Sequence, residues 1–385
     1  MNALVRRLAS RILAASSGLL PRHLSPWARA MERELAEIAE DGPALLFAAG
    51  CLRAVLGLAI TVRLRSRWAG ARSFLSLLAP PTRSLSTMTR ISAHPRLLGL
   101  VCGAGAVAMG MAYMLAAGAP SRYLLVNLAA MVLGAAAWFA LGRTARLAGA
   151  GPFILALAVA LLLTAFFGVA ADGASRWVSV GPLSLQVSLV VLPVMLVLYA
   201  RQPDATGTAG MIVAALALAA QPDRAMAGVL VAGLLGLLCA APGRLSLTAT
   251  AASLLAFGLT LVTPETQPAV PYVDRILYTA FDVHPLAGLA VVFGAAILLI
   301  PALIVASKAA GERPAFLVFG GCWLGVIAAA ALGNYPTPLV GYGGSAVLGY
   351  LLSVALLPGG SLQTGGTAAS EPRPATERSS DPTTS

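Results

Sequence analysis

Apolar stretches about 20 residues long recur along most of this 385-residue chain, and this repetition narrows the available folds more than any other feature. Inside a bilayer no water satisfies backbone N–H and C=O groups, so only helices or closed barrels can span it. Each run is long enough to cross as a helix, and the alternating pattern of a barrel strand is absent. Charged residues make up 11% of the chain against 58% hydrophobic, whereas a soluble domain carries about 25% charged residues. The expected fold class is an all-α polytopic membrane protein, a helical bundle.

Residues 1–96 read as a prefix. Arginines at 6, 7, 11, 29 and 33 and acids at 32, 34, 37, 40 and 41 suggest amphipathic helices, with Trp27 and Leu35 directed at the membrane surface or a neighbour. The amphipathic, Arg-bearing start lacks the pattern of a cleaved secretory signal. A first membrane segment is expected over 43–62, although Arg53 near its centre must snorkel or find a partner. Residues 63–96 carry seven arginines and no acid, which predicts a cytoplasmic loop.

Ten further spans are expected near 97–118, 122–141, 152–171, 187–200, 207–221, 225–241, 245–263, 286–306, 315–333 and 340–357. With 63–96 inside, the inner connections hold Arg143, Arg146, Arg201, Arg244, Lys308 and Arg313, against Arg122, Arg176, Arg224 and Arg275 outside, so the positive-inside rule is obeyed. The same rule accounts for the net charge of +11. No basic patch interleaved with aromatics is present, so a nucleic-acid partner is not expected. Gly99 and Gly103, four apart, favour close helix packing. Pro193 and Pro301 are expected to kink their spans. The tail 358–385 is rich in Gly, Ser, Thr, Pro and charge and is expected to be disordered and cytoplasmic. The four cysteines lie in apolar runs without CxxC spacing, which gives no metal or redox motif.

Four polar segments interrupt the apolar runs in a fixed order. They are Asp172 to Ser188, containing Gly173-Ala-Ser-Arg176-Trp177, Gly181, Gln186 and Ser188; Gln221-Pro-Asp223; Tyr272 to Gly288, reading YVDRILYTAFDVHPLAG; and Pro338-Leu-Val-Gly-Tyr342-Gly343-Gly344-Ser345. Together they resemble the motifs of the SEDS family, the FtsW/RodA/SpoVE membrane proteins of bacterial cell-wall synthesis, over roughly residues 97–357. The resemblance implies ten spans with both ends of that module in the cytoplasm. It also implies a multi-pass protein of the bacterial inner membrane acting in cell division or cell shape. The family's active members polymerise lipid II, the undecaprenyl-linked disaccharide-pentapeptide, beside a class B penicillin-binding protein.

Glycosyl transfer needs a carboxylate or equivalent base for the acceptor hydroxyl, and donors or cations to hold the leaving pyrophosphate. The family's proposed catalytic Asp stands in a D-P-[LF]-G motif, and that position here is His284. Asp282 lies two residues earlier, and Asp274 is a further candidate. Arg176, Asp223 and Arg275 are candidates for binding a lipid pyrophosphate, or else polar residues solvated at the interface. Gly173, Trp177, Gln186, Tyr342, Gly343, Gly344 and Ser345 are expected to shape loops. Other family positions have lost their chemical groups: the Q-P-S-E-x-x-K acid and base are Leu189 and Leu192, and the Gly and Thr of Q-P-D-x-G-T are Ala225 and Met226. The leading expectation is therefore a SEDS-type scaffold or regulator of a penicillin-binding protein or other division component, with a degenerate transferase site. The alternatives are an active divergent transferase using His284 or Asp282, and a transporter of the lipid-linked precursor. No cofactor is expected beyond a divalent cation in the active case.

Overall fold

The computed structural model describes residues 6–7, 9–14, 25–38, 40–52, 55, 94–144, 149–171, 174–181, 183–263, 267–305 and 312–359. Residues 63–93 of the basic loop over 63–96 and the tail from 360 lie outside these residues, as do Arg53 and most of 53–62 in the first expected membrane segment, Asp172 and Gly173. The chain divides into two compact units, Met1–Leu85 and Ser86–Ser385.

The first unit contains α1 (Ser25–Glu37) and α2 (Asp41–Leu52). Its small core joins Ala9, Leu13, Leu35, Ala44 and Ala48. Leu35 thus faces this unit's own core, while Trp27 on the same helix is exposed. Arg6 donates to the carbonyls of Ile38 and Leu35, the groups that a helix C-terminus leaves without donors.

The second unit is a helical bundle: α3 (Pro95–Ala116), α4 (Ser121–Thr144), α5 (Gly151–Phe167), α6 (Val187–Arg201), α7 (Ala205–Ala220), α8 (Arg224–Ala240), α9 (Arg244–Val262), α10 (Ile276–Val283), α11 (Pro285–Ile297), α12 (Ile300–Val305), α13 (Arg313–Leu332) and α14 (Gly344–Ala355). All ten apolar runs fall on helices. Among the described residues, α3, the first 21 residues of α4, α9 and α13 are long and apolar enough to cross a membrane, and the other apolar helices are shorter. Prolines 95, 152, 285 and 314 sit in first turns, where the missing N–H has no helical partner to lose.

The segment between α5 and α6 is not a plain loop. It folds as an antiparallel meander of β1 (Val169–Ala171), β2 (Ala174–Val180) and β3 (Leu183–Gln186), with Trp177 opposite Gln186 and Val180 opposite Leu183. Gly181, at φ 60°, opens the two-residue turn between β2 and β3, a conformation that favours glycine.

Helix α6 is the centre of the bundle. It is apolar on all faces and buried along most of its length, packed by α5, α8, α13 and α14. The outer helices instead expose large apolar side chains, among them Phe167, Leu255, Val262 and Leu332. Such an exterior matches lipid rather than water. The chain is an all-α polytopic membrane protein.

The two expected proline effects differ. Pro301 ends α11: its ring excludes the carbonyl of Ile297, the last residue of that helix, and the chain turns at 298–299 before α12. Pro193 stays inside α6 and deprives the Leu189 carbonyl of its helical donor. That carbonyl points at Gly349 of α14, where a Cβ would collide with the oxygen. Glycine there lets two backbones meet, the packing mode available to helices in lipid. Gly110 plays the same part against the Val340 backbone, and Gly236 and Gly321 do so between α8 and α13. Gly349→Ala is expected to lower stability by about 1–3 kcal/mol, the usual range for overpacking, read as an earlier melt of the protein in nanodiscs.

Candidate functional site

The polar segments gather around one cavity of about 820 Å³. Its walls come from α4 (Leu125, Ala129, Leu133), β2 and β3, the start of α8, the 267–274 segment and the 334–346 segment. Leu125 and Leu133 are also exposed on the lipid-facing side of α4, so apolar wall and apolar exterior are continuous. The space is a mostly apolar trough with polar groups set into it, suited to an amphiphile.

Beneath it lies Asp223, fully buried just before α8. Its Oδ1 accepts the Met226 N–H at 3.2 Å, which caps the helix. Its Oδ2 accepts from Gln186 Nε2 at 3.2 Å and from Ser188 Oγ at 3.1 Å. The Arg176 guanidinium stands 3.9 Å from Oδ1 and donates to the Pro222 carbonyl. Gln186 in turn donates its N–H to Ser345 Oγ at 3.0 Å, which ties β3 to the start of α14. A charge removed from water persists only with such partners. Arg176 and Asp223 were candidates for solvated or ligand-binding groups; the structure buries them against each other, with Arg176 also reaching the cavity wall.

The Tyr342 turn is held by a residue that the sequence did not flag. Asn127 of α4 is fully buried, donates Nδ2 to the Gly341 carbonyl at 2.8 Å and accepts the Gly343 N–H on Oδ1 at 3.1 Å. It thereby clamps both sides of Tyr342, whose ring stacks on Tyr123 at 3.9 Å. The signal was present: Asn127 is a lone amide in an apolar span, and such a group must find partners. Tyr342, Gly343, Gly344, Ser345, Trp177 and Gln186 all line the cavity. The loop-shaping residue Gly173 lies outside the described residues.

A further part of the wall pairs two irregular segments. Asp274 forms an antiparallel bridge with Pro336, and the Thr337 N–H donates to Val273 O at 2.9 Å. Tyr272 and Arg275, at φ 64° and 59°, and Leu339, at φ 61°, hold left-handed conformations costly for residues with a Cβ. The Asp274 side chain is buried, lines the cavity and accepts the Val270 N–H on Oδ2 at 2.8 Å. Burial pushes its carboxyl above the ordinary carboxylate range, and the Val270 hydrogen bond opposes the shift.

The other sequence candidates stand elsewhere. His284 is exposed and caps α11, its Nδ1 accepting the Leu286 N–H at 3.1 Å. Asp282 is exposed on α10. Arg275 is exposed and lines a separate 330 Å³ hollow with Tyr278 and Asn334. None of these three lines the large cavity. Asp274, weighed in the sequence as a substitute base, does.

The bundle is similar to the crystal structure of the Thermus thermophilus rod shape determining protein RodA, with a TM-score of 0.51 and 22% identity over 67% of this chain and 94% of that one. The chain has a RodA-like fold. An aspartate-to-alanine mutant of that RodA matches with a TM-score of 0.50 and 22% identity, over 67% of this chain and 95% of the mutant. No protein-family model and no curated protein matches the chain.

Two outcomes are expected of the polar groups. Asp223→Ala leaves Arg176 buried without its carboxylate and should destabilise by roughly 3–5 kcal/mol, whereas the double change Arg176→Met with Asp223→Asn should lose less than the two single changes summed. Thermal unfolding of wild type, Asp223→Ala, Arg176→Met, Asp223→Asn and the double variant measures this. For Asp274, the folded chain holds the proton more tightly than the unfolded one. Stability from this group therefore falls as pH rises from the ordinary value of 3.8 through the raised one, and is level above it. Asp274→Asn keeps an acceptor for Val270 and removes that slope, so the variant should melt higher than wild type at neutral pH.

Proposed function

We propose that this chain is a SEDS-type protein of the bacterial inner membrane that binds an undecaprenyl-linked cell-wall precursor in the 820 Å³ cavity and acts in peptidoglycan synthesis during division or cell-shape maintenance. The observation carrying this is the cavity itself. Its apolar wall on α4 runs out onto the lipid-facing surface, as a polyprenyl chain requires, and its polar groups offer partners to a headgroup. The RodA-like fold supports the cell-wall assignment. The helices at the ten apolar runs, with α11 and α12 sharing one run, support ten crossings, with residues 1–96 as an added prefix.

Within that role the favoured mechanism is a scaffold or regulator of a class B penicillin-binding protein or other division component. Position 284 carries an exposed helix-capping histidine where the family has its carboxylate. Asp223 is engaged by Gln186, Ser188, Met226 and Arg176, so its carboxylate serves the fold. A second reading, a divergent transferase polymerising lipid II, is favoured by Asp274, a carboxylate that lines the cavity and that burial makes more basic than an ordinary carboxylate. His284, at the position of the family's carboxylate, and Asp282, two residues earlier, remain the other candidate bases for it.

Full-length protein in nanodiscs, mixed with lipid II and followed by native mass spectrometry, should retain one lipid per chain; absence of binding overturns the proposal. Glycan product from the same sample, with and without a class B penicillin-binding protein, separates the mechanisms. The scaffold reading expects none, and cell shape indifferent to His284→Ala. The transferase reading expects product.

A further inference from the structure

One carboxylate in the wall of the large cavity is left by the fold without a counter-ion. Asp274 is 8% exposed and lines the cavity, yet among the described residues the ion pairs join Arg6 to Asp41 and Arg176 to Asp223. Arg176 is the cavity's other charged side chain, and Asp223 and the Pro222 carbonyl already engage it. Burial and the Val270 hydrogen bond, rather than a charged neighbour, shift the Asp274 carboxyl. Val270 occupies Oδ2, and Oδ1 accepts no hydrogen bond among the described residues. Oδ1 also keeps accessible surface, unlike the Thr337 hydroxyl, which is enclosed. The backbone holds this carboxylate in place. Left-handed conformations at Tyr272 and Arg275 bracket Asp274, and its bridge to Pro336 pins the segment. Strain of this kind persists where surrounding structure over-determines it, and it clusters at binding sites. Gln186, elsewhere on the same wall, repeats the pattern. Its Nε2 is turned to Ser188 and to the Asp223 carboxylate, which only accepts, so Oε1 is the atom left without a donor.

We propose that Asp274 is the counter-ion site for a primary ammonium group carried by an amphiphile in the cavity. A buried carboxylate is costly unless it is paired and hydrogen-bonded. An ammonium brings a positive charge and three N–H donors, so it supplies to Oδ1 both things that the fold withholds. The unused capacity of Asp274 and of Gln186 is acceptor capacity, which calls for a ligand that donates. The apolar wall at Leu125, Ala129 and Leu133 takes the hydrocarbon part. A metal ion fits poorly. Calcium takes about six or more oxygen ligands, often several carboxylates. The wall offers one carboxylate, and the described residues contain no cluster of three His, Cys, Asp or Glu able to hold a metal. The site reads the ammonium and not the rest of the molecule. It therefore stands whether that group is the peptide amine of a lipid-linked precursor or the ethanolamine head of a membrane phospholipid.

The test uses the full chain in phosphatidylcholine nanodiscs at pH 7.5. It is titrated with hexylammonium, with hexyltrimethylammonium, which keeps the charge but has no N–H, and with 1-hexanol, which has no charge. Hexylammonium should raise the melting temperature of wild type along a saturable curve. Its half-maximal concentration should lie about tenfold below that of either other compound, the effect of one hydrogen bond to a charged group. Asp274→Asn should erase that preference and leave the hexanol response unchanged. No saturable stabilisation of wild type by hexylammonium, an equal response to hexyltrimethylammonium, or a preference that survives Asp274→Asn would each overturn the site. The first two outcomes are read on wild type and do not depend on how the variant folds. Two further arms identify the source of the ammonium. Phosphatidylethanolamine in place of phosphatidylcholine should weaken the hexylammonium response by competition if the phospholipid head is the ligand. Lipid II should bind more tightly than its amine-acetylated form if the precursor is. An effect in neither arm overturns the amphiphile as ligand. Loss of lipid II binding with the hexylammonium preference intact rejects the cell-wall precursor and keeps the site.

Discussion

The polar end of this bundle depends on one carboxylate placed where water does not reach. Asp223 caps α8, holds Gln186 and Ser188 at the junction of β3 and α6, and faces Arg176 on β2. Through Gln186 the same group reaches Ser345 and the start of α14. A meander, the central helix and two further helices are thereby fixed to one point. The mutual attraction of Arg176 and Asp223 offsets their desolvation only because the remaining lone pairs are filled. The geometry of the cavity rim is a consequence, since each element that reaches this point also contributes to the wall.

The bundle below is assembled by a different force. Helices in lipid gain little from burying apolar surface, so they associate by close packing. Glycine at 110, 236, 321 and 349 brings backbone against backbone, and at Gly349 the approaching group is the Leu189 carbonyl left without a donor by Pro193. Proline and glycine, thirty-nine of the latter in the chain, are thus complementary parts of the packing rather than breaks in it.

Most of the site was visible as residues, and little of it as a site. Trp177, Gln186 and the Tyr342 to Ser345 turn were marked by their polar setting, and they do line the cavity. Asn127 was passed over because a single amide in a long apolar run carries no motif, although burial makes its two hydrogen bonds decisive for the turn. His284 drew attention by occupying a family position, yet its side chain is committed to a helix N-terminus. The strands between α5 and α6 are not legible in the sequence, where β1 falls in the apolar run 152–171 and β2 and β3 in the polar segment after it, because three short strands beside long helices give too brief an alternation to register.

By itself the sequence determined that the chain is a bundle of apolar helices, where those helices lie, and which polar segments interrupt them. It could do so because the apolar period and the demand for backbone hydrogen bonding in lipid act locally. Only the tertiary structure decided which polar residues hold the fold together and which face the cavity. Asp223 and Asp274 are both aspartates beside helix starts, and both are buried. One is surrounded by donors and the other opens onto 820 Å³ of space. That difference arises from contacts between segments far apart in the chain, which no local pattern encodes.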